Sequence, residues 1–294
     1  MNQDTQLARG GQTRSGFDET AEALFLTSGY VYESAEQAEG AFAGEIEHYM
    51  YSRYGNPTVT MFEERLRLLE GAEGAWSTAS GMAAVFWSLA SLLEQGDRVV
   101  ASRDLFGSCF VILDELLPRW GIHTEFVDGA SLDEWEQALR TPAKVVFFET
   151  PSNPMQGLVD VAAVAALAHE TGAVVVVDNV FATPILQKPL ELGADIVVYS
   201  TTKHIDGQGR TMGGAILGSA DYLANQLKPF MRHTGPTLSP FNAWVLVKSL
   251  ETLALRVRHQ TASALAIAGA LESTAGVNRV WYPDLPSHPQ AALA

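Results

Sequence analysis

The chain has 294 residues, 47% of them hydrophobic, and 19 Lys and Arg against 34 Asp and Glu leave a net charge of −15. That excess of acid excludes a nucleic acid or an anionic membrane as partner, since both are held by clustered cations, and no run reaches the ~18 apolar residues of a bilayer span. The single cysteine, Cys109, allows no internal disulfide, and the polar first twenty residues lack the apolar stretch of a secretory signal, so a reducing, cytoplasmic setting is expected.

Residues 1–50 mix small polar residues with scattered aromatics (Phe17, Phe25, Tyr30, Tyr32, Phe42) and read as an extended arm that docks rather than a disordered tail. Asn56-Pro57 opens a helix that Gly71 closes, with Met61, Phe62, Leu66 and Leu69 on one face. Helix and strand patterns then alternate: helix 81–93, strand 98–102, helix 107–120, strand 123–128, helix 132–140, strand 144–149, helix 160–171, strands 173–178 and 195–200, and a short strand 213–218. KVVFFE, AVVVVD and DIVVYS are near-continuously apolar, the mark of strands covered on both faces in a parallel sheet flanked by helices. From Pro240 some thirty residues read as helix, and VNRVWYP (277–283) reads as a strand. The expected organisation is an N-terminal arm over 1–50 and a large α/β domain with a mostly parallel sheet over 51–245. Residues 246–294 then give a connecting helix and the start of an incomplete small C-terminal α+β domain.

Ligands of open α/β sheets sit beyond the carboxyl ends of the strands. There the sequence places Glu149, Asp178 and Ser200, with Ser152 and Asn153 after the first and Thr202 and Lys203 after the last. Ser80-Gly81-Met82 opens a helix whose free N–H groups suit an anion. Of Lys144, Lys188, Lys203, Lys228 and Lys248, only Lys203 follows a buried strand among hydroxyls and glycines. An anion cradle, a carboxylate and a lysine at one rim are the three fixtures that pyridoxal phosphate uses. The histidines show no ligand spacing, so no metal is expected, and no G-x-G-x-x-G follows a strand.

Six stretches in order give the chain a resemblance to the Cys/Met-metabolism family of pyridoxal-phosphate enzymes: YSRYGNPT (51–58), SGMAA (80–84), ETPSNP (149–154), VVDNVFATP (176–184), STTKHIDGQG (200–209) and LSPFNAW (238–244). The resemblance implies the fold of the type I PLP-dependent aminotransferases. It implies Lys203 as the catalytic lysine, joined to the cofactor and shuttling protons, and Asp178 on the pyridine nitrogen. Gly81 and Met82 N–H groups with Ser200 and Thr202 hydroxyls would hold the phosphate, and Asn153 would lie near the phenolic oxygen. Tyr51 and Arg53 would reach the phosphate of a neighbouring subunit, in a homotetramer built as a dimer of dimers. RDLFGSC (103–109) and TKHIDGQGR (202–210) resemble the sulfhydrylase branch most, whose implied substrates are O-succinylhomoserine and sulfide. Cystathionine γ-synthesis or γ-elimination is the implied alternative.

Two departures from the family pattern bear on function. A stacking tyrosine is replaced by Phe106, which can stack but has no hydroxyl to donate, so acid–base work falls on Lys203. Family members run to roughly 400 residues, or two full domains, and their C-terminal domain carries an arginine for the substrate carboxylate. No such arginine is reached here, so the expectation is cofactor binding with poor turnover. A non-catalytic assembly partner that binds pyridoxal phosphate is the expectation of a different class.

Overall fold

The structure is a computed structural model that describes residues 2–294. In chain order it runs α1 (Gln3–Arg9), α2 (Ala35–Ala43), α3 (Pro57–Glu70), β1 (Gly74–Thr78), α4 (Gly81–Ala90), β2 (Arg98–Ser102) and α5 (Gly107–Val111). There follow β3 (His123–Val127), α6 (Leu132–Leu139), β4 (Val145–Glu149), α7 (Val161–Glu170), β5 (Val174–Asp178), α8 (Thr183–Leu186), β6 (Ile196–Ser200) and β7 (Gly214–Gly218). The chain ends in α9 (Lys228–Thr234), α10 (Pro240–Leu250), α11 (Leu253–Glu272) and a series of turns.

The seven strands form one sheet in the order β1-β7-β6-β5-β4-β2-β3. The pairs among β2, β3, β4, β5 and β6 are parallel, and β7 runs antiparallel to both β6 and β1. Six strands therefore share one direction, and the sheet is mixed rather than wholly parallel. The register sets Glu149 opposite Asp178, and Gly214 opposite both Ser200 and Thr78. The carboxyl ends of β1, β4, β5 and β6 thus meet the start of β7 along one edge.

Each face of the sheet buries its own core. On one side Val146, Phe148, Val175, Val177 and Val197 pack under α3, α6, α7, α10 and the start of α11. On the other, Val145, Phe147, Val176, Ile196 and Val198 pack under α4, α5 and the helical turns before α9. Fully burying one such side chain stabilises by roughly 1.5–3 kcal/mol. The helices start and stop where local chemistry dictates. Asn56 caps α3, accepting from Thr58 N at 2.9 Å, Pro57 takes its first turn, and Gly71 closes it in the left-handed conformation (φ 85°).

Four local readings of the sequence need correction. Residues 1–50 are not uniformly extended: they hold α1 and α2, and Leu7 of α1 is buried in the core with α3. The helix over 107–120 is α-helical only to Val111, then π-helical over Ile112–Leu116 and 3-10 over Leu117–Trp120, where Pro118 supplies no N–H. The strand β1 lacks an apolar run and was not legible in EGAWST. Residues 277–283 form no strand and pair with none of the seven strands, and a strand pattern without a partner has nowhere to place its hydrogen bonds.

Candidate functional site

Strand side chains alternate between faces. The alternation that turns Val145 and Phe147, Val176, and Ile196 and Val198 toward α4 and α5 carries Glu149, Asp178 and Ser200 to the same face. Three polar groups therefore stand side by side on adjacent strands at the carboxyl edge.

Asp178 is 6% exposed. Its Oδ1 accepts from Val180 N at 3.1 Å, and among the described residues it forms no ion pair. Burial pushes its carboxyl up to about 7, against a modest pull from the Val180 N–H. Glu149, equally buried, accepts at Oε2 from Phe106 N at 2.8 Å. Burial first and the neighbouring Asp178 second push it up to about 8, opposed by the N–H groups of Phe106 and Asn153. Cys109 lies beneath the pair, and burial with both carboxyls raises its thiol so far that it stays protonated and inert.

The anion cradle forms beside them. Ser80 caps α4 with its hydroxyl, accepting from Ala83 N at 3.1 Å, which leaves the Gly81 and Met82 N–H groups without an acceptor among the described residues. A Cβ on Gly81 would stand 2.5 Å from Ser200 Cβ, and one on Gly214 would stand 2.3 Å from Ser80 O. Glycine at both positions lets the first turn of α4 close directly onto the ends of β6 and β7. The Met82 side chain is half-buried against the α4 core. The Thr202 hydroxyl bridges the β7 side, donating to Gly213 O (3.2 Å) and accepting from Gly213 N (3.1 Å). Its proton is thus engaged with backbone rather than free for an anion.

Lys203 follows in an exposed turn, its N–H on Ser200 O (3.2 Å) and its carbonyl taking Gly207 N (2.7 Å). Arg256 of α11 staples that turn, donating to His204 O (2.7 Å) and Ile205 O (3.1 Å). Phe106, 42% exposed, opens α5, and Asn153 sits in the turn after β4.

Tyr51 and Arg53 form no hydrogen bond or ion pair with Asp178 or Lys203 among the described residues. Arg53 donates to Arg232 O and lies over the Tyr51 and Tyr54 rings, 5.4 and 4.7 Å from their centroids. Arg232 lies over the same Tyr54 ring at 5.0 Å. Among the described residues neither guanidinium has a carboxylate partner, so the pair is a cationic patch on an acidic protein. Pro236, just beyond, accepts from Ala79 N at 2.8 Å, which brings the patch to the flank of the cradle. Arg232 gave no signal in KPFMRHT, an ordinary helix end. The bonds of Glu149 were not legible either, though its place at a strand end was.

A cavity of about 500 Å³ opens between α8, α11, the loop after β4 and the last turns, lined by Leu158, Leu186, Val257, Ala264 and Tyr282, and it reaches the flank of the site at Thr150, Pro151, Phe181 and His204. The groups at the carboxyl edge fit pyridoxal phosphate. The unpaired buried Asp178 lacks the cation that a protonated pyridine nitrogen would supply, and the free N–H groups of α4 lack an anion.

Comparison with known proteins agrees. A model of the family described as Cys/Met metabolism PLP-dependent enzyme matches residues 4–294. The chain is 65% identical over 294 residues to the O-succinylhomoserine sulfhydrylase of Mycobacterium tuberculosis, covering 100% of this chain and 72% of that protein. It is 50% identical over 291 residues to the protein of that name from Pseudomonas aeruginosa, covering 99% and 72%. A crystal structure of a putative O-acetylhomoserine (thiol)-lyase from Campylobacter jejuni, which carries N'-pyridoxyl-lysine-5'-monophosphate, superposes with a TM-score of 0.94 at 29% identity, over 100% of this chain and 81% of that one.

Proposed function

The chain belongs to the Cys/Met metabolism PLP-dependent enzymes, and on that premise we propose that it replaces the γ-succinyloxy group of O-succinylhomoserine with sulfide, giving homocysteine and succinate. The observation that supports this most is the grouping of a buried, cation-free Asp178 with the Gly81–Ser200 contact on one rim, one turn from Lys203. Pyridoxal phosphate, when bound, supplies a sink for the electron pair left at the substrate Cα.

In this reading Asp178 holds a proton on the pyridine nitrogen through its carboxylate. The N–H groups of Gly81 and Met82 and the Ser200 hydroxyl grip the phosphate, and Thr202 joins them by turning its proton from Gly213 O. Phe106 covers the ring, and Asn153 donates toward its phenolic oxygen. Lys203 would hold the cofactor and carry protons on Nζ, taking one from Cα and one from Cβ before the γ-group leaves and returning one to each carbon after sulfur has added. Phe106 has no hydroxyl, so no second acid stands on that side. Cγ–O cleavage releases succinate, and sulfide forms the Cγ–S bond. Tyr51 and Arg53, with Arg232 beside them, serve the phosphate of a second subunit in a cytoplasmic homotetramer of paired dimers. The exposed apolar side chains of Leu26, Val31 and Phe42 suit residues 26–50 to cover that neighbour.

Borohydride trapping tests the cofactor assignment: the visible band and the reduced adduct at Lys203 are expected to vanish in Lys203→Ala. Steady-state rates with sulfide against cysteine, on succinyl and acetyl esters, test the reaction. A strong preference for cysteine would move the assignment to cystathionine synthesis, and elimination without added thiol would move it to a γ-lyase. Cofactor uptake with no turnover would leave a binding role. Sedimentation at micromolar concentration tests the shared site, and a monomer that keeps its cofactor would contradict it.

A further inference from the structure

We infer that Glu149 is a positioning residue of this site: its buried carboxyl group locks the peptide of Phe106 to the end of β4, level with Asp178. The inference rests on the cofactor-site reading above. Phe106 and Asn153 belong to two separate loops, and neither is fixed by packing of its own side chain, since Phe106 is 42% exposed and Asn153 half-buried. The helix that Phe106 opens has no side-chain cap at all. What anchors it is the bond from Phe106 N to Glu149 Oε2, 2.8 Å, across 43 residues of sequence. The Asn153 N–H lies near the same carboxyl and opposes its upward shift without a direct hydrogen bond, so the Glu149 side chain ties the ring-covering loop to the strand end from which the Asn153 turn departs. That turn is itself rigid, closed by Ser152 N on Gly157 O (2.9 Å) and Gln156 N on Ser152 O (2.8 Å).

The register makes this spacing relevant to the cofactor. Glu149 and Asp178 are paired across β4 and β5 and project to one face, so whatever Glu149 fixes is fixed relative to the carboxylate meant for the pyridine nitrogen. A glutamine at this position keeps an acceptor oxygen at nearly the same place and can take the Phe106 N–H bond. An alanine cannot, and an aspartate is one methylene too short to reach the Phe106 loop.

The test uses the full chain, pyridoxal phosphate as probe, and three readouts: the dissociation constant, the visible circular dichroism of the bound cofactor, and urea unfolding of the cofactor-free protein. Glu149→Ala is expected to raise Kd by about tenfold, equivalent to ~1.4 kcal/mol, and to change the visible dichroism, which reports ring orientation. Glu149→Gln is expected to restore both to near wild type. In a Phe106→Ala background, Glu149→Ala is expected to lose most of its effect, because the loop it positions no longer carries a ring. If Glu149→Ala fails to fold by urea unfolding, Glu149→Asp carries the same expectation. Unchanged Kd and dichroism in Glu149→Ala, failure of glutamine to restore them, or full additivity with Phe106→Ala would overturn the inference while leaving the cofactor site intact. A wild-type chain that takes up no pyridoxal phosphate would overturn the site reading and the inference together.

Discussion

Arg65 and Glu22 are both withdrawn from water, with side-chain exposures of 0% and 1%. Arg65 spends its donors on Glu22, on Gly10 O (2.8 Å) and on Val247 O (3.2 Å), while Lys248 reaches the other Glu22 oxygen. Burial alone would raise Glu22, yet the hydrogen bonds from Lys248 and Arg65 outweigh it and hold the carboxyl at about 2. Four segments distant in sequence meet at this one pair. Removing one partner strands a charge in a dry place, so Arg65→Leu is expected to lose about 3–5 kcal/mol in urea unfolding. Gly81 makes a second test at this scale. A Cβ there meets Ser200 Cβ at 2.5 Å, so Gly81→Ala is expected to destabilise by about 1–3 kcal/mol through overpacking and to weaken pyridoxal phosphate binding in a fluorescence titration. Adding Ser200→Gly is expected to recover the urea midpoint but not the affinity, since it removes the hydroxyl offered to the phosphate.

Among the elements, α3 is the one whose ends serve two purposes. The Asn56 carboxamide oxygen caps the helix, and its nitrogen lies within bonding distance of Phe25 O (2.9 Å), Tyr30 OH and Ser52 Oγ (both 3.1 Å), so the cap also pins the arm. Asn56→Asp keeps the cap and loses the donors; about 1–2 kcal/mol is expected to go with them, and Asn56→Ala loses about 1 kcal/mol more with the cap. Limited proteolysis within residues 1–50 would speed up in both. The caps, the Gly71 stop and the strands β2 to β7 were legible in sequence because each rests on local chemistry or an apolar run. β1 was not, because GAWST becomes a strand only through pairing with β7. The pattern at 277–283 failed for the converse reason, having strand-like residues but no partner edge. The site divides the same way. Asp178, Ser200 and Lys203 were legible at strand ends, whereas the bond between Glu149 and Phe106 joins residues 43 apart and carries no local signal.

For the molecule as a whole, four carboxyls withdrawn from water shape the response to pH. Glu63, Glu70 and Asp178 are pushed up to about 7 and Glu149 to about 8, burial being the first cause in each. A folded-state value above the unfolded one means stability that is full below about 4.5 and is lost as pH rises through 7 to 8. Glu22 acts in the opposite sense, its contribution present above about 4.5 and lost as pH falls toward 2. The cofactor-free protein is therefore expected to show a higher urea midpoint at about pH 6 than at about pH 8.5, and a midpoint that climbs over that interval would contradict the assignment. The position of β7 between β1 and β6 has a consequence in time. β2 to β6 can pair as soon as they are synthesised, but β1 has no neighbour until residues 214–218 leave the ribosome, and such distant pairings form late. Ser80 and Gly81 come directly after β1, so the grip on phosphate is assembled after most of the core. Cofactor uptake then marks finished molecules and stabilises only those. A refolding chain is expected to bury Trp135, which packs beneath the early-pairing strands, before it turns yellow.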